Sequence, residues 1–95
     1  APACPDRHML AAQAMGADVT EIPLNEAGEM LAGRVIEMMR DTGMPNGLSG
    51  VGYGPEDLEA LTDKAFPQKR LLDNAPLPIS RDRLRSLFEG AMRYW

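Results

Sequence analysis

The residues able to do chemistry are few and scattered. His8 is the only imidazole and Cys4 the only thiol. Metal centres draw several ligands from His, Cys, Asp and Glu. Cys4 and His8 stand four apart, so they would share a helix face only if the helix began before Pro5, and Pro5 itself suits a first helical position. They read as a surface imidazole and an incidental thiol. A cysteine at a helix start can also be activated by the helix dipole, which gives a separate reading, a small thiol-dependent protein working through Cys4. Ser49 and Ser80 have no base near them in the sequence, and Ser80 is explained as a helix cap. The acidic pairs Glu56/Asp57 and Glu26/Glu29 fall at helix starts, where negative charge is stabilising, and nothing points to them as general acids or bases. The stretch "GLSGVGYG" holds four glycines, Gly47, Gly50, Gly52 and Gly54. A dinucleotide fingerprint needs a strand before it and a βαβ unit around it, and a phosphate loop needs a following Lys-Ser or Lys-Thr. A helix precedes this stretch and neither signature follows, so it reads as a connector with left-handed turns.

The elements that would have to position such groups are helices. Pro5 and Asp6 open the first, with Leu10 and Ala14, Ala11 and Met15 as its apolar side, and Gly16 stops it. Residues 17–23 read as extended or loop. Asn25 is placed to cap a second helix that runs to about Thr42 and stops at Gly43. Ala27, Leu31, Val35, Met38 and Met39, widened by Ala32 and Ile36, form a stripe broad enough for more than one neighbour. Within that helix Gly28 and Gly33 each cost about 1 kcal/mol relative to Ala, a cost that a close helix neighbour would explain. The glycine-rich stretch 44–54 has Leu48 and Val51 as anchors, on one short helical turn. Pro55, Glu56 and Asp57 start a third helix with Leu58, Leu61, Thr62 and Ala65 on one face, and Pro67 ends it. Residues 67–79 read as a loop, long enough to suggest function. Ser80 caps a last helix whose Leu84, Leu87, Phe88, Ala91, Met92 and Trp95 keep helical spacing. The expected fold is all-α: one helical domain over residues 1–95, about four main helices plus a short connector helix.

Composition narrows the function classes. The chain is 44% hydrophobic and 25% charged, as a globular domain is. Its net charge of −4 argues against nucleic acid, which needs clustered Lys and Arg. Arg81, Arg83 and Arg85 come nearest to a basic cluster, but they alternate with Asp82 and read as a solvated helix face. The methionines, like the helix-spaced apolar residues around them, read as core filling. No apolar run approaches the ~20 residues that cross a bilayer, and a single cysteine fits a reducing compartment, so the location expected is cytoplasmic. By residue chemistry alone this is a helical domain with no self-contained active site: no catalytic, cofactor-binding or metal-ligating residue is assigned.

The order of motifs is nevertheless specific. "DTGMPNGLSGVGYGPEDLEALTDKAF" resembles the C-terminal region of iron-dependent, group III alcohol dehydrogenases. Asp41, Gly43, Met44, Pro45, Leu48, Gly52, Asp57, Leu58, Leu61 and Ala65 fall in that family's order and spacing, while Tyr53 departs from its usual hydrophobic residue. "APACPDRHMLAAQAMG" is similar to the helix that follows the family's metal-binding helices, and "NAPLPISRDRLRSLFEGAMRYW" to its proline-rich loop and closing helix.

The resemblance implies a parent enzyme with NAD(P) and a divalent metal, iron or zinc, that polarises the alcohol or carbonyl oxygen during hydride transfer. It implies no cofactor or metal in this chain, because the family's glycine-rich turn, its Asp and its three His lie outside it and His8 matches no ligand position. The implied partners are the missing N-terminal nucleotide-binding domain and the metal-bearing helices, without nucleic acid or membrane and with room for a homo-oligomer. The chain itself would form a wall of the substrate cleft. The family's loop between its last two long helices folds toward that cleft. Here the loop is 68–76, with Arg70 and Leu71 nearest the lining position, and an arginine facing the cleft there suits an acidic or hydroxy-acid substrate. The other reading of Arg70 is an ordinary solvent-exposed loop arginine, the commoner place for that residue. The alternative is an independent helical interaction module without catalytic activity, using the apolar face of its second or last helix.

Overall fold

The computed structural model describes residues 1–95, which are all helix and connection with no strand. Five helices follow in order: α1 (Pro5–Ala14), α2 (Ala27–Asp41), α3 (Leu58–Ala65), α4 (Lys69–Leu72) and α5 (Arg81–Gly90). Short 3-10 turns occupy Leu24–Glu26, Ser49–Val51 and Pro55–Asp57. The fold class is the expected one, and the connector turn lies where Leu48 and Val51 place it. No helix is long and apolar enough to cross a membrane. The chain divides into two compact units, Ala1–Met44 and Pro45–Trp95.

In the first unit α1 packs on α2. Pro5 sits in the first turn of α1, and Gly16, at φ +88°, turns the chain away at its end. The face that α1 buries is only partly the expected one: Ala11 and Met15 are half-buried, but Leu10 and Ala14 are not on it. Ala12 is fully buried, whereas Leu10 is 65% exposed and Ala14 is also exposed. Helical spacing offers more than one apolar row, and α2 meets the side centred on Ala12 rather than the side of Leu10. Ala27 is its buried counterpart on α2. Arg34 crosses between the helices, donating from Nε to the carbonyl of Met15 at 2.6 Å and pairing with Glu37 at 2.7 Å.

Asn25 does not cap α2. The chain leaves an extended Pro23 and enters α2 through the 3-10 turn at Leu24–Glu26, with no side-chain cap bond. A 3-10 lead-in satisfies backbone groups that a capping side chain would otherwise hold. Neither α2 glycine has the close helix neighbour expected, and only Gly28 has a close neighbour of any kind, the non-helical Ala1. A Cβ on Gly28 would stand 2.5 Å from the Ala1 side chain, while nothing approaches Gly33 within 4 Å.

In the second unit α3 packs on α5, burying Leu58 and Thr62 against Leu84. Thr62 donates its hydroxyl to the carbonyl of Leu58, so its burial leaves no polar group unpaired. The start of α3 is set by Gly54, whose amide donates to the Asp57 carboxylate at 2.8 Å. Ser80 caps α5 as expected, accepting from the Arg83 amide at 3.2 Å. The helix ends at Gly90 rather than running on to Trp95, and the last residues are held by the glycine-rich loop instead.

Candidate functional site

The segment between α3 and α5 carries the residues singled out for a cleft, Arg70 and Leu71. It is not a plain loop. Four consecutive side chains with good helix propensity, Lys69–Leu72, close one helical turn, and the prolines beyond stop it. The amide of Asn74 bonds back to the Leu71 carbonyl, and its side chain donates to the Arg70 carbonyl at 3.0 Å. The turn holds Arg70 and Leu71 outward: both are exposed, Leu71 at 61%, and the Arg70 guanidinium enters no ion pair. Its neighbour Lys69 is differently placed, with Nζ lying 3.7 Å from the centre of the Phe66 ring. Leu72, Pro76, Leu77 and Ile79 line a shallow hollow of about 290 Å³ on the same segment.

Both ends of the segment are anchored. Arg83 donates to the Pro78 carbonyl at 3.2 Å. Arg81 reaches back to α3, pairing with Asp63 at 2.5 Å and with Glu59 at 2.8 Å, while Arg85 pairs with Glu59 at 2.6 Å and with Glu89 at 3.6 Å. The Arg81 and Arg85 guanidiniums hold the Glu59 carboxyl below the usual glutamate range, and the carboxylates of Asp63 and Glu59 raise Arg81 in turn. The arginines of α5 therefore do more than face solvent. Two of them tie α5 to α3, the helices that flank the Arg70 turn.

The remaining reactive residues are engaged elsewhere. With its proton on Nδ1, His8 donates to the Cys4 carbonyl at 2.8 Å. Cys4 is exposed and unpaired. Ser49 turns its hydroxyl to the Met92 sulfur at 3.9 Å, and Ser80 is the α5 cap. The glycine-rich stretch is a receptor for the chain's last residues. Leu48 and Ser49 donate their amides to the carbonyls of Ala91 and Met92, each at 3.0 Å. The Asn46 side chain accepts from the amides of Tyr94 and Trp95 at 2.7 and 3.1 Å and donates to the Trp95 carbonyl. Nothing in the sequence singles Asn46 out for this role. A contact across 49 positions leaves no local signal that would have revealed more.

The segment between α3 and α5 is thus anchored and exposes the Arg70 cation, and the chain brings no convergent set of reactive groups together. Comparison with known proteins gives it a family. The model of the Fe-containing alcohol dehydrogenase family, C-terminal region, matches residues 1–92, and the chain belongs to that family. It is similar to the mitochondrial hydroxyacid-oxoacid transhydrogenase of Xenopus tropicalis, 37% identical over 97% of this chain and 20% of that protein. The enzymes of the same name from Homo sapiens, 35% identical over 96% of this chain and 20% of theirs, and Caenorhabditis elegans, 37% identical over 95% and 20%, are similar too. The chain spans about a fifth of the length of these relatives. No solved structure matches it.

The relatives are oxidoreductases, and their names place them in mitochondria. That corrects the cytoplasmic expectation. One unpaired thiol shows only that no disulfide forms within the chain, a condition that cannot tell one reducing compartment from another. The family's iron does not fit the residues present. No three His, Cys, Asp or Glu side chains are grouped to hold an ion, the lone imidazole is turned to a carbonyl, and Glu59 and Asp63 are taken by arginines. No chemical step is derived through a metal on this chain.

Proposed function

We propose that this chain is the C-terminal helical part of a metal-dependent, NAD(P)-linked oxidoreductase that interconverts hydroxy acids and oxo acids, and that it forms one wall of the substrate cleft. Both units belong in this reading to one helical domain of the whole protein, which works with an N-terminal nucleotide-binding domain and with metal-bearing helices. When bound, the metal supplies Lewis-acid polarisation of the reacting oxygen and the nicotinamide the hydride. The chain's contribution is to position: Leu71 gives the wall apolar surface, and Arg70 pairs with the carboxylate that a hydroxy acid carries and a simple alcohol lacks.

The observation that carries this reading is the Arg70 guanidinium itself, unpaired and presented by an anchored turn, in a chain whose relatives are named for hydroxy-acid and oxo-acid substrates. A guanidinium–carboxylate contact is charge-assisted and can be bidentate. The family match along nearly the whole chain favours this reading over an independent interaction module.

The test is steady-state kinetics of the full-length protein. Arg70→Ala is expected to raise KM for a hydroxy acid by about 10- to 100-fold, as loss of a charged hydrogen bond does, and to leave KM for an uncharged alcohol of equal length unchanged. Equal KM values for the hydroxy acid in the two proteins would defeat the assignment of Arg70. Turnover of neutral alcohols alone would defeat the substrate class.

A further inference from the structure

In the first unit, a hollow of about 550 Å³ opens between the residues around Ala1 and the start of α2. Ala1, Pro2, Pro5, Leu24 and Gly28 line it, and Glu29 is the one charged side chain on its wall. Leu24 is 54% exposed there. A large apolar side chain on the wall of a concave apolar surface is what a protein-docking site presents. Gly28 fixes how closely the chain can pass, since a Cβ at that position would meet the Ala1 side chain at 2.5 Å.

On the reading that the chain is the C-terminal part of a longer protein, upstream polypeptide is what covers the hollow. The match is to the C-terminal region of the family, and the chain is about a fifth of its relatives, so most of such a protein lies upstream. The upstream chain joins at Ala1, on the wall of the hollow itself. A segment tethered at that point has an effective concentration in the millimolar range, which a free partner must exceed to displace it.

We propose that this hollow is the seat of the polypeptide leading into Ala1 in the full-length protein, an apolar segment that covers Leu24 and crosses α2 at Gly28. The inference rests on the reading that the chain is the C-terminal part of a longer oxidoreductase, and it deepens that reading by naming the surface where the two parts meet.

Hydroxyl-radical footprinting of the full-length protein tests it without any substitution. Leu58 and Leu84, 3% and 7% exposed, are internal standards for buried leucine. Leu24 is expected to oxidise as slowly as they do. Oxidation of Leu24 many-fold faster than both would overturn the proposal, and so would protection that disappears on dilution, which would identify a second copy as the occupant. Gly28→Leu is expected to displace the segment and speed Leu24 oxidation, whereas Gly33→Leu, with open space around it, is expected to leave it unchanged. If Gly28→Leu does not fold, the wild-type footprint still decides. The two readings fail separately. Fast oxidation of Leu24 in a protein that turns over hydroxy acids removes the seat and leaves the activity, whereas slow oxidation in a protein that turns over only neutral alcohols does the reverse.

Discussion

At the scale of single residues, Asn46 does the most with the least. Its oxygen accepts two amides, those of Tyr94 and Trp95, and its nitrogen serves the Trp95 carbonyl. Each such bond contributes about 0.5–1.5 kcal/mol net, so Asn46→Ala, which removes three, is expected to cost about 1.5–4.5 kcal/mol and to release the Tyr94 and Trp95 amides to hydrogen exchange. Asn46→Asp keeps an accepting oxygen but sets its second oxygen against the Trp95 carbonyl, so protection of those amides is expected to fall between wild type and Asn46→Ala. Exchange rates that do not differ between wild type and Asn46→Ala would show that the tail is held by other contacts. Gly47 is the companion constraint. Its φ of +65° lies in the left-handed region, and a Cβ there would stand 2.5 Å from the carbonyl oxygens of Ala91 and Met92. Strain and collision together make Gly47→Ala about 2–4 kcal/mol destabilising, measurable as a drop in the denaturation midpoint.

At the scale of elements, the pairing of α3 with α5 joins a small apolar contact to a chain of ion pairs. Arg81 and Arg85 converge on Glu59 and depress its ionisation below the ordinary value of 4.5. A carboxylate depressed in the folded state stabilises fully above its unfolded value, and that contribution is lost as pH falls through the folded one. The contact between α3 and α5 is therefore expected to loosen in acid, and Glu59→Gln to show less of that acid loss. Denaturation midpoints at about pH 7 and about pH 3 check this, and an equal acid loss in both proteins would remove Glu59 from the account. Much at this scale was legible in the sequence, because it is local: Pro5 and Gly16 around α1, Pro67 after α3 and the Ser80 cap each act within a few residues. What escaped reading depends on neighbours. The row of α1 that is buried, Ala12 rather than Leu10, is chosen by α2. The 3-10 lead-in replaces an Asn25 cap for reasons of chain direction, and the α4 turn was hidden by the prolines around it. Of the candidate site, Arg70 and Leu71 are exposed on a regular helical turn, which had no periodic signature at four residues.

At the scale of the molecule, the two units differ in what holds each together. The first buries little beyond Ala12 and Ala27 and leaves Leu10, Leu24, Val35, Met38 and Met44 exposed. The second buries Leu58, Thr62 and Leu84, and adds the Glu59–Arg81–Arg85 ion pairs and the Asn46 clasp. Alanine contributes little transfer free energy, whereas a buried Leu side chain contributes about 1.5–3 kcal/mol, so the second unit has the larger share of internal stability. Local opening follows such differences. In the isolated 95-residue polypeptide, amides of α1 and α2 are expected to exchange faster than those of α3 and α5. In the full-length protein the gap is expected to narrow, because apolar surface on the first unit is then covered by the upstream chain. Native-state hydrogen exchange on both proteins checks this. Persistence of the full gap in the longer protein would mean that the first unit gains nothing from the polypeptide before it, and that its exposed Leu and Met face solvent there too.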